Sequence, residues 1–440
     1  LEMCIRDRFN LMPGGTISGE VRVPGDKSIS HRSIMLGALA EGVTRVSGFL
    51  EGDDALATLS AFRAMGVEIE REGEGQVVIH GVGLRGLSAP EAPLDLGNAG
   101  TGMRLLCGLM AGQAFDSELT GDESLCSRPM GRVIDPLRLM GAEIDAAEGG
   151  RPPLRITGGR QLHGIHYDLP MASAQVKSCV LLAGLYSQGS TSVTEPAPTR
   201  DHTERMLRGF GYEVKNDNGV ISLKGGGALR AAEIDVPADI SSATFFLVAA
   251  SIAPGSDLLL THVGINPTRI GVLNILRLMG ADITLKDERE VGGEPVADIH
   301  VRYAPLKGIE IPEDQVPLAI DEFPALFIAA ACAQGRTVLR GAEELRVKES
   351  DRIAAMAEGL TTLGVENEVL QDGIVIHGGK LGGGVIRTFH DHRIAMSFAV
   401  AALRAEGEIR ILDCDHVATS FPGFDSLARG VGLQISTLVD

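Results

Sequence analysis

Tryptophan is absent from the 440 residues and tyrosine occurs only four times. So few flat rings leave little with which to stack nucleic-acid bases. Positive charge is short as well: 40 Lys and Arg stand against 58 Asp and Glu, a formal net charge of −18. That balance excludes nonspecific partners such as nucleic acid or an anionic membrane, which require a basic face. The six cysteines (Cys4, Cys107, Cys126, Cys179, Cys332, Cys414) are scattered without a CxxC pair. They predict a reducing, cytoplasmic setting without disulfides. Apolar runs such as 245–253 are too short to cross a bilayer. Residues 1–11 carry Glu2, Arg6, Asp7 and Arg8 and no apolar h-region, so they are no signal peptide. They resemble nothing downstream and are expected to be a non-native or disordered extension before Met12. No GxxxxGK[ST] occurs; Gly25-Asp26-Lys27-Ser28 shares only its end, with an Asp interrupting Gly-Lys.

A repeat is present instead. Length alone suggests roughly three domains. However, six segments, beginning near Ser30, Thr101, Ser173, Ser241, Asp321 and His390, each open an apolar helix that runs into a small turn and a β-like strand. They recur about every 70 residues. A second helix in each module ends on glycine followed by an alternating strand, as in Met65-Gly66-Val67-Glu68-Ile69 and Met140-Gly141-Ala142-Glu143-Ile144. Two halves of three modules follow, each module being helix, strand, helix, strand with one further short strand. Such units predict an α/β (α+β) architecture with mixed sheets.

Chemistry is concentrated at the module starts. Lys27, Arg32, Arg104, Lys177, Asp321 and Arg393 are too polar to be repeated core positions. Helix N-termini themselves attract anions through free N–H groups and the dipole. Eight cations fall at these starts or on facing loops: Lys27, Arg32, Arg104, Arg128, Arg200, Lys348, Arg352 and Arg393. Singly each could be a solvated surface charge. Their recurrence at comparable places favours capture of phosphate or carboxylate. Asp321 could cap the helix it precedes, and the run Arg346 to Arg352 could be i,i+4 pairs on an exposed helix. The alternative is an acid and a base beside an anionic ligand.

The segments Pro24 to Arg32, Gly97 to Arg104, Arg128-Pro129-Met130-Gly131, Ser173 to Ser178, Arg346 to Arg352 and Asp391-His392-Arg393 closely resemble those of 5-enolpyruvylshikimate-3-phosphate synthases. The resemblance runs from about Met12 to the C-terminus. It implies transfer of the enolpyruvyl group of phosphoenolpyruvate to the 5-hydroxyl of shikimate 3-phosphate, with release of phosphate. It also implies the enolpyruvyl transferase fold, in which two similar domains of three modules close over the substrates in a cleft. The domains are expected at 12–24 with 241–440 and at 25–240. By position, Lys27, Ser28, Arg32, Ser173 and Gln175 are implied to hold shikimate 3-phosphate, with Arg200 on its phosphate. Arg128, Arg352 and Arg393 are implied to hold phosphoenolpyruvate, with Lys27, Gly100 and Lys348 close by. Asn98 and Ala174, in the same motifs, join the substrate-binding set. Asp321 and Glu349 match the proton-handling carboxylates, with Lys27 as a further catalytic group. The two substrates carry about six negative charges, so clustered cations are required to bring them together. No metal or organic cofactor is implied, and a monomer is the family expectation.

Thr419 stands where many members have lysine, within Ala418-Thr419-Ser420-Phe421-Pro422. Gly100 stands where certain glyphosate-insensitive members have alanine, so sensitivity to that inhibitor is expected. Two rival readings share some of these features. UDP-N-acetylglucosamine enolpyruvyl transferase uses a loop cysteine ahead of Arg-Pro, and Cys126 precedes Arg128-Pro129. The other is a non-catalytic sensor of phosphorylated metabolites, which would have no use for Asp321 and Glu349. The isolated pairs His163/His166 and His390/His392 lack further metal ligands at a recognised spacing.

Overall fold

Apolar helix faces and alternating strands condense into two units, each with its own core. The computed structural model describes residues 7–439. One unit comprises the described residues up to Pro24, Pro237–Glu290 and Pro295 onward; the other comprises Gly25–Val236 and Val291–Glu294. The expected boundary at 240 thus shifts to 236. Asp239 caps the helix Ile240–Ile252 by accepting from the Ser241 N–H at 2.8 Å, so the approach to that helix folds with it.

Each unit contains three mixed sheets. Five of the six share one topology: an edge strand parallel to the second, then two antiparallel strands. In the Gly25–Val236 unit the second strands are Ala40–Ser47, Ser117–Thr120 and Ser190–Thr194. In the other unit they are Asp257–Gly264 and Ile409–Leu412. In the remaining sheet, Arg336–Leu339 with Ile374–His377 and Asn367–Val369, the parallel edge is reduced to bridges at Lys307–Gln334 and Glu310–Val338.

The sixth module recruits the N-terminus. Asp7–Leu11 lies antiparallel between Ile409–Leu412 and Ile435–Val439, with Asp7 opposite Val439 and Leu11 opposite Ile435. Phe9 and Leu11 point alternately into the core and are buried. Residues 7–11 are therefore a strand and not an extension; the rest of that expectation lies outside the described residues.

The module-opening helices pack together inside each unit and also on their own sheets. Ile240–Ile252 is buried along its whole length, being apolar apart from the hydroxyls of Ser241, Ser242, Thr244 and Ser251. Gly100–Ala111 meets Ala174–Gly184 so closely that a Cβ on Gly108 would lie 2.3 Å from the Cys179 carbonyl oxygen. The glycines ending the second helices (Gly66, Gly141, Gly211, Gly280, Gly364, Gly432) all have positive φ, between 79° and 123°. This left-handed C-terminal turn is the backbone basis of the repeat. No helix among the described residues is long and apolar enough to cross a membrane.

Candidate active site

In the Gly25–Val236 unit, the first turns of three helices carry the expected substrate ligands. Asp26 caps Lys27–Leu39 through the Ile29 N–H (2.8 Å), and Ser173 caps Ala174–Gly184 through Val176. Lys27 pairs with the buried Asp54 of the Asp53–Ala64 helix, a residue the sequence motifs did not single out. Ser28 and Ala174 sit on these first turns, partly exposed. Arg32 is buried; it donates to the Ser28 carbonyl (2.8 Å), Thr203 Oγ1 (2.7 Å) and Ser178 Oγ (3.0 Å). Burial pulls its guanidinium down to about 10, against the opposing pull of Glu204 and Asp26.

Gln175 is held from both ends: Arg104 Nη1 donates to its Oε1 at 2.6 Å, and its Nε2 donates to Thr101 Oγ1 at 2.8 Å. Asn98 receives a hydrogen bond from Arg128 Nη2 (2.8 Å) and donates to Asp122 Oδ2 (2.8 Å), orienting the guanidinium. Gly100 opens its helix beneath Arg128 and Arg104. Cys126 Sγ donates back to the Gly121 carbonyl at 3.3 Å.

His31, between these ligands, is buried with Nδ1 2.8 Å from Thr58 Oγ1. Burial, then Lys27 and Arg32, pull its pKa down from 6.5 to about 3. The unfolded chain therefore binds a proton below about pH 6.5 that the fold refuses, and stability falls as pH drops through that window. We expect unfolding free energy to decline more steeply between pH 6.5 and 4.5 in the parent than in His31→Gln, by up to ~1.4 kcal/mol per pH unit. Denaturant titrations across that range check this; parallel pH profiles would mean His31 is protonated in the fold.

In the other unit, Arg352 organises three carboxylates. It opens the helix Arg352–Thr362, 1% exposed, with Nε 2.8 Å from Asp391 Oδ2, Nη2 2.6 Å from Glu349 Oε2 and Nη1 3.2 Å from Asp321 Oδ1. Burial opposes its charge, but the three acids outweigh that and raise its pKa. Asp391 is likewise held below the carboxylate range, because Arg352 overcomes the upward push of burial. Asp391 also accepts from Ser350 Oγ (2.9 Å) and caps the His392–Ala401 helix through the Arg393 N–H (2.9 Å).

Lys348 Nζ lies 3.4 Å from Asp321 Oδ1 and 3.5 Å from Glu344 Oε1. The run Arg346 to Arg352 is not one exposed helix: a 3-10 turn ends at Val347, Lys348 is extended, and Asp351 caps the next helix. Asp321 sits in the turn Ile320–Glu322, and the N-cap position of Phe323–Cys332 falls to Glu322. Its neighbour Glu322 is buried and accepts from Ser241 Oγ, which also receives Arg269 Nη2 at 2.7 Å. Glu322 and Arg269 thereby fix the turn that presents Asp321. Their isolated charges gave no motif to mark them. Thr419 donates to the His416 carbonyl of its own 3-10 turn at 2.7 Å.

Arg128 and Arg393 enter no ion pair among the described residues, so each unit offers at least one motif cation unpaired with a protein carboxylate. Among the described residues, one group, Glu68, Glu70 and His80, brings three possible metal-ligand side chains together; none belongs to these motifs.

The repeated β/α modules with mixed sheets, and the paired cation and carboxylate sets, define a two-domain α/β protein of the enolpyruvyl transferase fold. The sequence profile of EPSP synthase (3-phosphoshikimate 1-carboxyvinyltransferase) matches residues 11–427. The 3-phosphoshikimate 1-carboxyvinyltransferase of Methylococcus capsulatus is 67% identical over 427 residues, 97% of this chain and 98% of that protein. That of Alkalilimnicola ehrlichii is 67% identical over 429 residues, 97% and 96% of the two chains. The solved structure of EPSP synthase from Acinetobacter baumannii superposes with TM-score 0.89 at 60% identity, covering 98% of this chain and 100% of that one. The enolpyruvyl transferase NikO from Streptomyces tendae shares the fold at 17% identity, with TM-score 0.81 over 99% of this chain and 100% of that one. The chain belongs to the EPSP synthase family. It catalyses enolpyruvyl transfer from phosphoenolpyruvate to shikimate 3-phosphate, the step of the shikimate pathway that glyphosate targets.

Proposed function

We propose a division of labour for this reaction in which the Gly25–Val236 unit supplies most ligands for shikimate 3-phosphate and the other supplies the proton-handling carboxylates. Lys27, Ser28, Arg32, Ser173, Ala174 and Gln175 hold shikimate 3-phosphate, with Arg200 on its phosphate. Asn98-oriented Arg128, Arg352 and Arg393 hold phosphoenolpyruvate, with Lys27, Gly100 and Lys348 beside it. Asp321 takes the proton of the 5-hydroxyl as its oxygen attacks C2 of phosphoenolpyruvate, while Glu349, with Lys27 or Lys348, protonates the methylene carbon. The tetrahedral adduct then loses phosphate and a methyl proton, restoring the enol ether. The chemistry requires both sets of residues on one substrate pair, held with water excluded.

The observation that carries this reading is Asp321: its carboxylate faces Lys348 and Arg352, beside Glu349 on the same guanidinium. Phosphate release should require both substrates together. Release with both substrates that is undiminished in Asp321→Ala would overturn the role given to Asp321.

Glyphosate sensitivity is read from Gly100. A Cβ there would lie 3.0 Å from Arg128 Nη1 and 3.3 Å from Arg104 Nη1, so the guanidinium that receives the anion must shift. We expect Gly100→Ala to weaken glyphosate inhibition by at least about tenfold and to raise the phosphoenolpyruvate KM by a few-fold. Inhibition curves at fixed phosphoenolpyruvate test this; an unchanged inhibition constant would remove Gly100 from the inhibitor pocket.

A further inference from the structure

Lys177 stands out because no step of the reaction uses it. It lies on the helix Ala174–Gly184, whose start carries Ser173 and Gln175, and its side chain is 1% exposed. Nζ lies 2.8 Å from Glu204 Oε1 and 3.1 Å from Glu195 Oε2, both buried side chains. These two glutamates bracket a short segment with Arg200 inside it. On one side of Arg200, Thr199 Oγ1 donates to Glu195. On the other, Asp201 accepts from Arg205 Nε at 2.9 and 3.0 Å, and Thr203 Oγ1 donates to Ser178 Oγ at 2.7 Å. Ser178, next to Lys177, also receives Arg32 Nη2 at 3.0 Å.

A buried lysine between carboxylates pays for its desolvation only with difficulty, and apolar residues of similar volume are often as stabilising. Geometry is the better account of its presence. We propose that Lys177 is a positioning residue for shikimate 3-phosphate: through Glu195 and Glu204 it sets the 195–204 segment so that Arg200 meets the phosphate while Ser173 and Gln175, on Lys177's own helix, meet the same substrate. This rests on the reading of Arg200 as the phosphate ligand.

The test is a double-mutant cycle on steady-state phosphate release, using Lys177→Met, Arg200→Met and the pair together, with melting temperatures alongside. Lys177→Met should raise the shikimate 3-phosphate KM about tenfold or more, the scale of one charged hydrogen bond, while kcat and the phosphoenolpyruvate KM change less than about threefold. In the Arg200→Met background the same substitution should cost less than about threefold, because both act on one contact. If Lys177→Met does not fold, Lys177→Met/Glu204→Gln, which removes one charge of each sign, takes its place. A lowered melting temperature with an unchanged KM, or an equal KM effect in both backgrounds, would overturn the positioning role alone. An unchanged shikimate 3-phosphate KM in Arg200→Met would overturn the reading of Arg200 and the inference with it.

Discussion

Phosphate release should fall by about 10²–10⁴-fold in Asp321→Asn, the range expected when a positioned general base is lost. Asparagine keeps the shape and one acceptor oxygen, so the contacts from Lys348 (3.4 Å) and Arg352 (3.2 Å) can persist in weakened form. It cannot accept a proton. The substituted turn stays pinned by Glu322, Ser241 and Arg269 behind it, so the melting temperature should move little. Shikimate 3-phosphate binding, measured by titration calorimetry, should stay within a few-fold. A variant that retained its rate would send the hydroxyl proton elsewhere, with Glu349 the next carboxylate to replace. A rate lost together with binding would make Asp321 a ligand and not a base.

The largest stability effect is expected at Arg352. Its fork meets Asp391, Glu349 and Asp321 at once, with Asp391 wholly buried. Methionine in its place leaves three carboxylates facing one another, and removing one partner of a buried ionic cluster costs about 3–5 kcal/mol. Lysine restores the charge but not the fork, so Arg352→Lys should recover only part of that. The pH dependence has a definite sign. In the parent, Asp391 is held below the usual carboxylate range, so its contribution is present above about pH 4 and is lost as pH falls further. In Arg352→Met the stranded carboxylates gain by taking protons, so the deficit should shrink between pH 7 and pH 4. Denaturant titrations of parent and both variants across that range test this; a constant deficit would assign the loss to packing and not to charge.

Both effects sit in a motif plainly readable along the chain, and the reason is physical. A helix start that must present cations carries them at fixed offsets from its cap, so Lys27, Arg32 and Arg393 are visible in sequence. The glycines that end the second helices are equally legible, because only a left-handed turn lets the next strand begin there. Less legible was what the helix starts do with their own N–H groups. Asp26, Asp239 and Asp391 accept from them, so those helix ends are capped by protein carboxylates, and anion capture falls to side chains. Also hidden were partners distant in sequence. Asp54 beside Lys27 and Glu322 behind Asp321 look like ordinary acidic residues until the fold buries them. The strand Asp7–Leu11 was missed because its partners lie some 400 residues onward, beyond any local pattern.

That strand has a consequence for how the chain comes into being. During synthesis Asp7–Leu11 emerges about 400 residues ahead of its neighbours Ile409–Leu412 and Ile435–Val439. At ~5–20 residues per second, a strand with two core side chains, Phe9 and Leu11, must wait unpaired for roughly 20–80 s. Its unit can close only once those strands have emerged, whereas Gly25–Val236 is complete, save for four residues, well before them. With Asp7 opposite Val439, linking these two strands directly and opening the chain at an exposed turn would let that sheet form from contiguous sequence, trading a late long-range pairing for a hairpin.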